Sequence, residues 1–127
     1  MAKEKKLGEV QLAIMRVLWE RGRATAKEVT EALNEQRPVA HSTVQTLLRK
    51  LEKRGSVTHE KEGRTFYFIP LVQEDEVQQT GVRELLNKVF QGSASGLVSH
   101  LLKEEKLSDK ELAEIKSLIE DHEEKRK

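Results

Sequence analysis

Apolar positions recur at helical spacing through the first fifty or so residues, then at strand spacing, then at helical spacing again. Val10, Ala13, Ile14, Val17 and Leu18 fall on one face of a helix predicted over Leu7 to Arg21, which Gly22 closes. Trp19, the sole tryptophan, lies beside that stripe and is assigned to the core rather than to a ligand. Thr25-Ala26-Lys27-Glu28 has capping-box form: the Thr25 hydroxyl can accept from the Glu28 amide while the Glu28 carboxylate reaches back. The helix it opens carries Val29, Ala32 and Leu33 on one face. Arg37-Pro38 interrupts the pattern, and a third helix of about four turns fits between Pro38 and Gly55. Its apolar residues, Val44, Leu47, Leu48 and Leu51, stand at i, i+3, i+4 and i+7.

After Gly55 the period falls to two. Val57 and His59 alternate with Thr58 and Glu60, Glu62-Gly63 marks a turn, and Arg64 to Ile69 is dense in aromatic and β-branched residues up to Pro70. This predicts a β-hairpin with Lys61 and Arg64 at its tip. Phe66 and Phe68 share a face expected to pack on the helices, and Tyr67 points the other way. Three helices and a basic-tipped hairpin predict a winged helix-turn-helix over residues 1–70, mostly α with a small β-hairpin.

Residues 71–127 return to helical spacing. Val77, Gly81, Val82, Leu85, Leu86, Val89 and Phe90 form the stripe of a helix from Gln73 to Phe90. Gln91 to Gly96 breaks it, and a short helix groups Leu97, Val98, Leu101 and Leu102. Ser108-Asp109-Lys110-Glu111 is a second capping box, opening a last helix with Leu112, Ile115, Leu118, Ile119 and His122 on one side. Three such helices have too little interior to stabilise themselves. A second copy would cover the stripes, with Val82, Leu85, Leu86, Val89, Leu97, Leu101, Leu112, Ile115 and Ile119 at the dimer interface. Two-fold symmetry suits a palindromic DNA site.

The net charge of +1 conceals an asymmetry. Residues 1–70 hold 14 Lys and Arg against 9 Asp and Glu, whereas residues 71–127 hold 9 against 13. A head at +5 and a tail at −4 suit a polyanion-binding head and a tail with another task, although a highly charged chain can also divide this way by chance. On the third helix, Ser42, Thr46, Arg49 and Lys53 lie opposite the apolar stripe, flanked by Gln45 and Lys50. That layout fits a helix entering a DNA major groove, with base-edge contacts from Ser42, Thr43, Gln45 and Thr46. Phosphate contacts fall to Arg49 and Lys50, and to Lys61 and Arg64 on the wing. An ordinary surface helix with a solvated basic face has the same pattern. A winged helix that docks a protein partner keeps the fold but usually loses these cations.

Other chemistry is poorly represented. The absence of cysteine excludes disulfides, thiolate metal sites and a cysteine nucleophile. His41, His59, His100 and His122 show no metal-ligand spacing, so no metal or cofactor is expected. His41, at the start of the third helix, suits phosphate contact and plain solvent exposure equally. No phosphate loop or nucleophile motif is present, and nothing in sequence supplies a base to Ser42-Thr43, so no enzyme activity is expected. The N-terminal segment 1–6 is charged, with no signal-peptide pattern, and no run is long enough to span a membrane; a cytoplasmic protein is the default expectation.

Nearly the whole chain resembles the penicillinase-repressor family of the BlaI/MecI type. The resemblance is carried by Leu7-Gly8-Glu9 running into Ile14-Met15-Arg16-Val17-Leu18-Trp19, by Thr25-Ala26-Lys27-Glu28-Val29, and by His41-Ser42-Thr43-Val44-Gln45-Thr46-Leu47-Leu48-Arg49-Lys50-Leu51. Tyr67-Phe68-Ile69-Pro70 and Phe90-Gln91-Gly92-Ser93 before Leu97-Val98 also match. It implies a homodimeric repressor on a palindromic operator, dimerised through the helices after Pro70. It also implies release when a membrane sensor-protease triggers cleavage in the C-terminal region. Two features depart from the family. The cysteine cluster of its copper-responsive branch is missing, and the Asn-Phe bond cleaved in its beta-lactam branch is matched by His100-Leu101.

Overall fold

Three apolar stripes converge on one core in the N-terminal part of the protein. In a computed structural model, which describes residues 7–127, the elements are α1 (Glu9–Arg21), α2 (Ala26–Asn34), α3 (His41–Lys53), β1 (Val57–Glu62), β2 (Thr65–Pro70), α4 (Glu74–Lys88), α5 (Ala94–Glu104) and α6 (Asp109–Lys125). The charged segment 1–6 lies outside the described residues. Ile14, Met15 and Leu18 of α1 meet Val29 and Leu33 of α2 and Val44, Leu48 and Leu51 of α3, and Val57 of β1 closes the cluster. Burial of this size is what holds a small helical head together; each such side chain contributes about 1.5–3 kcal/mol.

Helix ends follow local chemistry. α1 begins at Glu9 rather than Leu7, because the Gln11 side chain turns back to accept from the Gly8 amide at 3.0 Å. The Thr25 capping box forms, with Glu28 N–H donating to the Thr25 hydroxyl at 3.0 Å and Thr25 N–H donating to the Glu28 carboxylate at 2.9 Å. α3 begins at His41, three residues past Pro38. The Asn34 amide holds the intervening turn, donating to the Val39 carbonyl at 2.9 Å and accepting from the Val39 amide at 3.1 Å. Gly55, at φ +86°, ends α3, and the Ser56 amide donates back to the Leu51 carbonyl at 2.9 Å.

The hairpin is antiparallel, with Val57 opposite Pro70, His59 opposite Phe68, Lys61 opposite Phe66 and Glu62 opposite Thr65. Its two-residue loop is Gly63-Arg64, and Gly63 supplies the positive φ of +63° that the turn requires. The other edge of β2 pairs with Ala24 in the α1–α2 loop, with N–H···O bonds of 2.8 and 3.1 Å between Ala24 and Phe68. Phe68 packs on the core as expected. Phe66 does not: two residues nearer the tip, it is 47% exposed and stays outside the core cluster. Trp19 packs against the core and its indole N–H donates to the Val72 carbonyl at 2.9 Å, tying the chain after the wing to α1.

The protein divides into two compact units, one ending at Arg83 and the other Glu84–Lys127, so this division falls inside α4. In the second unit the Ser93 hydroxyl caps α5 by accepting from the Gly96 amide at 2.9 Å, and the Ser108 hydroxyl caps α6 by accepting from the Glu111 amide at 3.0 Å. None of α4, α5 and α6 contains a buried residue. Among the described residues no helix is long and apolar enough to cross a membrane.

Candidate nucleic-acid interface

Burial of Val44, Leu48 and Leu51 fixes the rotation of α3 and leaves Ser42, Thr43, Gln45, Thr46, Arg49, Lys50 and Lys53 exposed on its other side. The short polar residues occupy its first turns and the cations its last, where they also complement the helix dipole. Arg49, Lys50, Lys53 and Arg64 form no ion pair with any other described residue, so their charge is available to a partner.

The wing is sorted by the alternation of its strands. One face carries His59, Lys61, Phe66 and Phe68; the other carries Glu60, Glu62 and Tyr67. On the first face, His59 packs edge-on against Phe66 with ring centres 5.1 Å apart, and the Lys61 ammonium stands 5.6 Å from the Phe66 ring centre. His59 Nδ1 also pairs with the Glu52 carboxylate of α3 at 2.7 Å, anchoring the base of the wing to that helix. On the second face, Arg23 donates to Glu62 at 2.8 Å and to Glu60 at 3.3 Å, and its guanidinium lies 4.0 Å from the Tyr67 ring centre. The hydrogen bond from Arg23 holds the Glu62 carboxyl below the usual carboxylate range, and the same bond raises Arg23.

Helix and wing converge on a cleft of about 420 Å³ whose walls include Gln45 and Arg49 of α3, Lys27 of α2, and Arg64, Phe66 and Phe68 of the hairpin. Gln45, Arg49 and Arg64 were expected at an interface from their spacing; the cleft brings them together. Lys27 and Phe66 are additional members. Lys27 owes its place to the Thr25 cap, which sets where α2 begins. His41 also lines the cleft, and its Nδ1 pairs with the Thr30 hydroxyl at 3.0 Å. Because the Thr30 hydroxyl donates to the Ala26 carbonyl at 2.8 Å, Nδ1 carries the proton in that pair and Nε2 is left for an outside partner.

The remaining candidates lie in the helices after the hairpin. Val82, Leu85, Val89, Leu101 and Ile119 are exposed, and Leu86, Leu97, Leu112 and Ile115 are half-buried. His100-Leu101 lies inside α5, where the His100 ring contacts Phe90 with centres 5.9 Å apart. Among the described residues no cluster of three His, Asp or Glu side chains could hold a metal ion.

A three-helix core, the third helix with a polar outer face, and a two-stranded wing define the winged helix-turn-helix class. The penicillinase repressor family model matches residues 7–121, and the chain belongs to that family, which is one of transcriptional repressors and not of enzymes. It is 28% identical over 127 residues to the penicillinase repressor of Bacillus licheniformis, covering 100% of this chain and 99% of that protein. It is 25% identical over 113 residues to the methicillin resistance regulatory protein MecI of Staphylococcus aureus, covering 89% and 92%. The solution structure of the DNA binding domain of the repressor BlaI is similar to it with a TM-score of 0.53 and 32% identity, covering 60% of this chain and 93% of that domain.

Proposed function

We propose that this DNA-binding repressor acts as a homodimer on a palindromic operator, with α3 in the major groove and the wing along the adjoining backbone. The observation that carries this is the division of the outer face of α3 into short polar side chains and then unpaired cations, continued by Lys61 and Arg64 of the wing. Ser42, Thr43, Gln45 and Thr46 read base edges; Arg49, Lys50, Lys61 and Arg64 hold phosphates. The exposed stripes of α4, α5 and α6 supply the contact between protomers. Half-sites then lie on one side of the duplex, at multiples of about 10–10.5 base pairs.

Release follows from cutting the chain within α5, near His100-Leu101, by a protease whose preference differs from the one that cuts Asn-Phe. The cut separates α6, with Leu112, Ile115 and Ile119, from the rest of the interface. One half-site is then held where two were held before, and the gain from linked binding is lost.

Binding measured on operator and on random DNA across a salt series tests the reading helix. Arg49→Ala should weaken both alike and lower the salt slope by about one unit. Thr46→Ala should lower affinity for the operator alone, by about 1–3 kcal/mol. An equal loss on both DNAs for Thr46→Ala would mean that α3 does not face the bases.

A further inference from the structure

We propose that Arg23 is a positioning residue for DNA binding: without touching DNA, it holds the wing so that Lys61 and Arg64 meet the backbone. This rests on the DNA-binding reading above. Arg23 lies between α1 and α2, outside α3 and the wing, and nothing in its local sequence marks it as a DNA contact.

The wing needs such a residue. Along β1 and its loop, Glu60, Lys61, Glu62 and Arg64 bring two carboxylates and two cations to one slender tip. Alternation turns the carboxylates to one face and Lys61 to the other, but they remain within a few ångströms of any polyanion the tip approaches. Arg23 meets both carboxylates from behind, at 2.8 Å to Glu62 and 3.3 Å to Glu60, and so offsets their repulsion of phosphate. A second Arg23 nitrogen stands 3.4 Å from the other Glu62 oxygen, which makes the grip on that carboxylate two-pronged. Its guanidinium also lies over the Tyr67 ring, so the contact spans both strands of the hairpin.

The wing's other attachments lie nearer its base. Phe68 bridges to Ala24, and His59 pairs with Glu52. Arg23 therefore limits the twist and sway of the two-stranded tip beyond them. A lysine could not do the same, having neither a planar fork for Glu62 nor a flat face for Tyr67.

The test is operator binding over a salt series with the full chain, using Arg23→Ala, Arg64→Ala, their double variant and Arg49→Ala. Arg23→Ala should weaken binding about tenfold and lower the salt slope by about one unit, although it removes no direct contact. With Arg64 already gone, Arg23→Ala should cost less than it does in the wild type, because one of the two cations it positions is missing. Arg23→Lys should lose most of the same affinity while keeping the charge. Should Arg23→Ala melt far below the wild type, Tyr67→Leu serves instead, since it removes the ring without changing charge and should weaken binding about threefold. Wild-type affinity and slope in Arg23→Ala, with Arg49→Ala still weakened, would overturn this proposal alone. Effects of Arg23→Ala and Arg64→Ala that simply multiply would make Arg23 a direct phosphate contact and also overturn it. Failure of the wild type to bind DNA would overturn both this proposal and the reading beneath it.

Discussion

Leu48 and Ile119 occupy comparable places, each within an apolar stripe at helical spacing, yet Leu48 is fully buried and Ile119 is 52% exposed. The same contrast runs through the two compact units. In the first, α1, α2 and α3 turn their stripes toward one another, and Ile14, Leu18, Val29, Val44 and Leu51 all reach 0% exposure. In the second, α5 and α6 carry stripes of similar composition and bury none of their residues. Amphipathic spacing thus says that a helix has an apolar face to cover; only the number of faces meeting at one place says whether the chain covers it alone. The first unit has a core of its own, and the second has exposed apolar surface that the proposed dimer would cover.

The largest expected effect comes from denying that surface its partner. Ile119→Asp puts a carboxylate where an apolar contact is proposed, while the folded protomer should tolerate it because the position is open. Sedimentation should give monomers, and operator affinity should fall by about 10²–10⁴. A dimer of wild-type strength would mean that the stripe serves something else.

The next effect lies in the first unit. Leu48→Ala removes a fully buried side chain and should cost about 2–5 kcal/mol, read from denaturant unfolding by the fluorescence of Trp19, which belongs to that unit. Ile119→Ala, followed by the same signal in protein dilute enough to be monomeric, should change stability by less than about 0.5 kcal/mol. Similar losses from the two would erase the contrast between the units.

The smallest effect concerns local opening of the second unit. Ser93→Ala removes the hydroxyl that caps α5, worth about 1 kcal/mol. Under limiting protease, cutting within α5 should accelerate about fivefold, with fragments located by mass, because a peptide bond inside a helix is reached only when the helix opens. An unchanged rate would indicate that cutting, where it occurs, does not pass through fraying from the Ser93 end.

Much of this was legible in the sequence, for reasons that differ by element. The six helices and the hairpin announce themselves because burial imposes a period, and Thr25 and Ser108 mark starts because cap chemistry is local. The small polar run from Gln91 to Gly96 reads as a break, yet the Ser93 hydroxyl caps α5, which begins inside it at Ala94. The outer face of α3 could be read as soon as Val44, Leu48 and Leu51 fixed its inner one. The turn before α3 could not, since it is held by an Asn34 side chain reaching across to Val39. The single bridge between Ala24 and Phe68 has no period to betray it. Nor do the contacts of Arg23, whose partners stand 37 and 39 residues away and meet it only once the hairpin folds back on the α1–α2 loop. Phe66 was misread for the opposite reason: its alternation with Phe68 is real, but alternation says which face a residue takes and not how deeply it is buried there.

The two-faced wing has a consequence for how this family can change length. Glu60 and Glu62 turn toward Arg23 and His59 and Lys61 turn away only because they alternate along β1. Inserting or deleting one residue between Val57 and the loop would exchange the faces of everything beyond it, swinging both acids onto the face that Lys61 now occupies and Lys61 off it. Two residues added together, one to each strand, would lengthen the wing but change the facing of its tip; adding two to each strand would preserve it. Wings in related repressors should therefore grow or shrink by four residues at a time, and indels of other sizes should fall in the loop or be accompanied by a bulge.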